Sequence, residues 1–180
     1  MLQITIPERE YFDEVAQSFI QIKSQTLQLE HSLVSLSKWE SKWNKPFLSR
    51  GEKTIEETVD YIRCMTITQN VNPNVYLGIT DSIVEQVMAY IDLPMTATTF
   101  NEENTGRKSQ EIITAEVIYY WMISLNIPFE CQKWHLNRLL TQIRVCNIKS
   151  SPPKKMGRKE LMARNRALKA SRRKALNTKG

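Results

Sequence analysis

Residues 111–147, EIITAEVIYYWMISLNIPFECQKWHLNRLLTQIRVCN, hold the densest apolar run in the chain and a break in its middle. Ile112 to Leu125 is apolar nearly all round, the composition of a helix buried on several sides. Ser109 suits the N-cap of that helix, with Glu111 at the end of the dipole that favours negative charge. Asn126 and Pro128 terminate it. A second helix is expected from about Glu130 to Asn147. Its inner face is Leu136, Leu139, Leu140, Ile143 and Cys146, with Lys133, Arg138 and Arg144 elsewhere. The connection is short, so the two should pack as an antiparallel hairpin. Glu116, Ser124 and Asn126 make the run too polar, and it is too short, to span a bilayer. It predicts a core element and no membrane partner.

Upstream, MLQITIP at 1–7 alternates Leu2, Ile4 and Ile6 before a proline, a short strand signal. Tyr11 to Leu29 fits one or two more short strands, or a helix over part of its length. Leu33, Leu36, Trp39 and Trp43 recur at helical spacing and predict a short amphipathic helix from about Ser35, stopped by Pro46. Thr54 and Glu57 have the spacing of a capping box, and Ile55, Val59, Ile62 and Met65 line the helix it would open. Residues 70–74 read as a loop around Pro73. Ser82 and Glu85 suggest a further helix start, with Ile83, Val84, Val87, Met88 and Ile91 as its stripe and Pro94 as its end. Residues 94–108 are polar and read as an exposed connection. The expected fold is mainly α: a helical body (1–149) with short N-terminal β-strands and an antiparallel helical hairpin core, a Ser/Pro linker (150–153), and a basic helical C-terminal tail (154–180).

The charge is unevenly placed. Eleven of the 25 Lys/Arg and only one of the 19 acids fall in 154–180, so the tail carries +10 and the first 153 residues −4. Such asymmetry points to a polyanion, an acidic protein partner or intramolecular docking. The tail is rich in Ala, Leu, Arg and Lys, strong helix formers, and a helix is expected over Lys159 to Leu176. Its apolar residues are too few for a core of its own. Lys154, Lys155, Arg158, Lys159, Arg164, Arg166, Arg172 and Arg173 are the candidate partner-binding cations. They could neutralise phosphates, but the segment has no aromatic residue to stack on single-stranded bases and no motif for base readout. Contact with an acidic protein, or plain solvation, is the favoured reading over nucleic acid.

Little in the chain reads as catalysis. Cys64, Cys131 and Cys146 are odd in number and lack CxxC spacing, which suits a reducing compartment. Cys131 and His135 stand four apart on an expected helix, but zinc needs more ligands and only His31 remains. As a nucleophile–base pair they would need an electropositive, exposed thiol. TGRKS at 105–109 is not a phosphate loop, because Asn101 stands where the first glycine belongs and Arg107 separates Gly106 from Lys108. No catalytic residue, metal ligand or cofactor is expected. Trp121 and Trp134 belong to the apolar hairpin. Trp39 and Trp43, with Lys38, Lys42 and Lys45 around them, either seal an edge of the body or form a protein-binding patch.

Three blocks carry a resemblance: HSLVSLSKWESKWNKPFL at 31–48, DYIRCMTI at 60–67 and the 111–147 stretch. They resemble the tail assembly chaperones of long-tailed, siphovirus-type bacteriophages. The third block is similar to that group's apolar helix, its break (here Asn126-Ile127-Pro128), and its Trp-containing helix with a Leu-Leu pair (Trp134, Leu139-Leu140). The ending PPKKMGRKELMARNRAL is also similar. The resemblance implies a helical, non-enzymatic protein that binds the tape measure protein, and tail-tube subunits in turn, in the host cytoplasm. An extended, frameshifted form is a habit of the group. A structural virion component with an ordering basic tail, and a non-specific nucleic-acid binder through 154–180, are the alternatives.

Overall fold

A computed structural model of the chain describes residues 1–13, 17–49, 51–100, 112–151 and 157–177. The expected N-cap Ser109, Glu111, Pro152-Pro153, Lys154 and Lys155 lie outside them. The described part is rich in helix, with a few short strands in two small sheets. It divides into two compact units, Met1–Asn147 and Ile148–Gly180.

Alternation at the N-terminus produces a β-ribbon. Strand β1 (Leu2–Ile6) pairs antiparallel with β4 (Gln25–Leu29), and β2 (Arg9–Asp13) with β3 (Ser18–Ile22). One register runs through both pairs, from Leu2 opposite Leu29 to Asp13 opposite Ser18. The four strands are therefore two halves of one long hairpin. Pro7 has no N–H to give the ladder, and the pairing lapses there. The inner half is built into the core through Ile4, Ile6, Leu27 and Leu29. The segment 65–67 covers the outer edge of β4: Glu30 N–H donates to the Met65 carbonyl and Ile67 N–H to that of Gln28. The outer half exposes Tyr11, Phe12 and Phe19, and the last two rings sit 5.1 Å apart across the ribbon.

Capping chemistry sets the first helices. Ser32 and Ser35 form a reciprocal box that starts α1 (Leu33–Trp43) earlier than its apolar spacing alone suggests, and Asn44 ends it in the left-handed conformation at φ 53°. The Thr54–Glu57 box opens α2 (Ile55–Met65) as its spacing predicts, with bonds of 3.1 and 2.9 Å. A 3-10 turn, Pro73–Gly78, leads to α3 (Asp81–Ile91). Gly78 packs against the ribbon at Ile6 and Ile22. A Cβ there would stand 2.7 Å from Ile6 Cγ2 and 3.7 Å from Ile22 Cγ2, so close passage requires glycine.

The hairpin region departs from expectation. Helix α4 covers only Ala115–Ser124. Thr114 makes no side-chain cap. Instead the buried Glu40 of α1 accepts from the Ala115 N–H at 2.7 Å with Oε2, and from the Phe47 N–H at 2.8 Å with Oε1. Asn126, at φ 52°, stops α4 as expected. The chain then forms a 3-10 turn, Phe129–Lys133, in place of the first turn of the expected second helix. Trp134 is extended, at φ −70° and ψ 161°, and α5 begins at Leu136, running to Ser150. The direct hairpin is thus only partly realised. Helix α4 and the 3-10 turn both lie on α1. Helix α5 is tied to the β4–α1 junction: Ser32 bridges to His135, and Leu136 N–H donates to the His31 carbonyl at 2.7 Å.

Nor is α4 buried all round. Ala115, Ile118 and Met122 face the core, whereas Tyr120 and Ile123 are 66% and 60% exposed. The second unit contains α6 (Arg158–Leu176), within a residue of the expected tail helix.

Two substitutions test this construction. Gly78→Ala should cost about 1–3 kcal/mol, because the wholly buried Ile6 cannot retreat from the new methyl. Glu40→Gln replaces one acceptor with a donor and leaves a buried amide unpaired, at about 1–3 kcal/mol. Urea midpoints should fall in both variants with unchanged slopes. A Glu40→Gln midpoint equal to wild type would show that the two amides do not depend on this side chain.

Candidate partner-binding surfaces

Of the two tryptophans singled out from the sequence, Trp39 is not available to a partner. It is 1% exposed. Its indole N–H donates to the Glu57 carbonyl at 2.9 Å, and its ring stands edge-on to Phe47 at 5.1 Å. The spacing that places Trp39 on the inner face of α1, over α2, is the reason. Trp43 is half-buried. Its N–H donates to Asp60 Oδ2 at 2.9 Å, and the Lys42 and Lys45 ammonium groups lie 5.6 and 6.0 Å from its ring. Lys42 pairs with Asp60 and Lys45 with Glu57. The Lys45 ammonium, helped by the Thr54 amide, holds the Glu57 carboxyl below its usual range. This edge of the body is a seam of rings and ion pairs.

The histidines and cysteines are similarly occupied. His31 and His135 are both buried, with rings 5.1 Å apart. The Tyr61 hydroxyl hydrogen-bonds His31 Nδ1 at 2.6 Å. Asn137 N–H donates to His135 Nδ1, and the opposite nitrogen donates to the Tyr90 carbonyl at 3.2 Å. Both rings are therefore neutral core groups: burial, then the other imidazole, pushes His31 down to about 3, and burial lowers His135. Burial also raises the Cys131 and Cys64 thiols. A thiol that stays protonated is a poor nucleophile. Among the described residues no group of three His, Cys, Asp or Glu side chains is placed to hold a metal ion, and no helix is long and apolar enough to cross a membrane.

The exposed surfaces lie elsewhere. On the body, Tyr120 and Ile123 form an apolar outer face of α4, and Phe129, 53% exposed, follows just past the turn. The ribbon adds Tyr11, Phe12 and Phe19. Sequence reasoning missed both. The all-round apolar composition of α4 masked its exposed side, and the ribbon's alternation is broken at Pro7. In the second unit, Lys159, Arg164, Arg166, Arg172 and Arg173 stand exposed along α6, and Arg158 opens the helix.

The buried histidines make stability pH-dependent. Each is harder to protonate in the fold than in the unfolded chain, where the value is 6.5. Their contribution is complete above that pH and is lost as pH falls below it. For His31 the loss should approach about 1.4 kcal/mol per pH unit between 6.5 and about 3. Urea unfolding between pH 6.5 and 5 should show this slope, and His31→Asn, which keeps an acceptor for Tyr61, should reduce it. An unchanged slope in His31→Asn would place the titration elsewhere.

No protein-family model, curated protein or solved structure matches this chain.

Proposed function

We propose that this chain is a non-enzymatic tail assembly chaperone of a long-tailed bacteriophage, binding the tape measure protein while the tail is built in the host cytoplasm. The observation that carries the reading is the uncovered apolar face of α4, Tyr120 and Ile123 with Phe129 beyond it. Its opposite side, Ala115, Ile118 and Met122, faces the core, so the outer residues contribute little to folding. An apolar helix face of this kind fits the exposed apolar stripes of a long helical client, which aggregate unless covered. The blocks at 31–48, 60–67 and 111–147 supply the family context, and the third contains this helix. The exposed aromatic ribbon offers a second surface for a protein partner.

Co-expression with the tape measure gene of the same phage tests the reading. The wild-type chain should keep that client soluble and co-purify with it under nuclease. Tyr120→Ser with Ile123→Ser should abolish co-purification while changing stability by only about 0.5 kcal/mol, since both sites are on the surface. A client that stays insoluble beside the wild-type chain would sink the proposal. Recovery of the chain at fixed copy number in purified particles would make it a virion component instead.

A further inference from the structure

Helix α6 is divided lengthwise into three sectors. At about 100° per residue, Leu161, Leu168, Leu176 and Met162 fall within about 120° of one another around the axis. Arg173, Arg166 and Lys159 occupy a neighbouring sector of about 40°, while Lys169, Arg172 and Asn165 fall among the apolar residues. Ala163, Ala167 and Ala170 lie on the side away from the leucines. All of these residues are exposed, and Leu161 and Leu168 retain 46% and 44% of their surface. A merely solubilising helix has no use for a leucine sector, and neither has a helix that only neutralises phosphates.

We propose that α6 is a recognition helix for an acidic amphipathic helix of a partner protein, its leucine sector seated on the partner's apolar stripe and its adjoining cationic sector on flanking carboxylates. The arrangement is the helix-on-helix mode in which residues spaced by three, four and seven anchor the contact. Leu161 and Leu168 are seven apart, and Arg172 follows Leu168 by four on the same side. Charge complementarity selects the occupant. The helix holds eight Lys/Arg against Glu160 alone, so a second copy of α6 would set cations against cations. Nucleic acid satisfies the cations and leaves the leucines in water. An acidic helix with an apolar stripe satisfies both.

The inference rests on the partner-binding reading above only in taking the partner to be a protein, and it uses a surface distinct from α4. Its test needs no phage client. The full-length chain is titrated by fluorescence anisotropy against three probes: a designed helical peptide with leucines at three-, four- and seven-residue steps flanked by glutamates, the same peptide with its leucines changed to serine, and a 20-base-pair DNA duplex. The first peptide should bind, and the serine peptide should bind at least about tenfold more weakly, as expected for losing a buried leucine or two. Leu161→Ser with Leu168→Ser should cause a similar loss for the first peptide, with the circular dichroism of the protein unchanged. Lys159→Gln, Arg166→Gln and Arg173→Gln together should weaken binding and flatten its salt dependence. Equal binding of both peptides, or tighter binding of the duplex with no effect of the leucine changes, would reduce α6 to a polyanion-binding arm and overturn the proposal. So would binding of no probe. If α6 binds the acidic peptide while Tyr120→Ser with Ile123→Ser leaves client capture intact, the role given to α4 fails and that of α6 stands.

Discussion

The buried side chain of Glu40 closes the body. Its two oxygens take the amides of Phe47 and Ala115, one just past the end of its own helix and one at the start of α4. Helix starts carry unpaired donors, and buried ones need an acceptor from somewhere. Most helices find theirs in a neighbouring residue. Helix α4 finds its acceptor on α1, and that contact fixes where α4 begins and which side it turns to the core. Ala115, Ile118 and Met122 then go inward. Tyr120 and Ile123 are left outside as a geometric consequence of the same contact.

A second tie works from the other direction. Helix α5 is held at its start by the His31 carbonyl and by the bridge between Ser32 and His135. Around this point Tyr90 donates to Glu30 at 2.7 Å, and Tyr61 contacts His31. Among the described residues no buried side-chain nitrogen or oxygen lacks a partner. Interior polarity in this body is given over to joining segments distant in sequence, which leaves it structural. The ties leave exposed one face of α4, the far half of the ribbon, and α6.

Local signals in the sequence were readable and long-range ones were not. The Thr54–Glu57 box, the stops at Pro94 and Asn126, the first strand and the extent of α6 depend on residues within a few positions of each other, where capping and propensity act. Trp39 could be read either as a seal or as a contact, because its fate depends on where α2 lies. The length of α4 was overestimated because its cap comes from Glu40, 75 residues earlier. The second hairpin helix was expected too soon because an extended Trp134 is needed for the strand-like bridge at His135 to form. Of the candidate partner-binding residues, the cations of α6 were legible from composition. Tyr120 and Ile123 were not, since an apolar residue in a mostly apolar helix carries no mark of which way it faces.

The ribbon's unbroken register also bears on the order of folding. Asp13 and Ser18 pair only five positions apart, so pairing can spread from there with little loop entropy to overcome, and a slip in one half would be contradicted by the other. Closing the loop from Glu40 to Ala115 costs roughly 4 kcal/mol by the logarithmic length term alone, before any packing repays it. Synthesis also delivers the N-terminus first. The hairpin is therefore the natural early element of this chain. The α1 helix waits with an unfilled oxygen until the amide of Ala115 arrives.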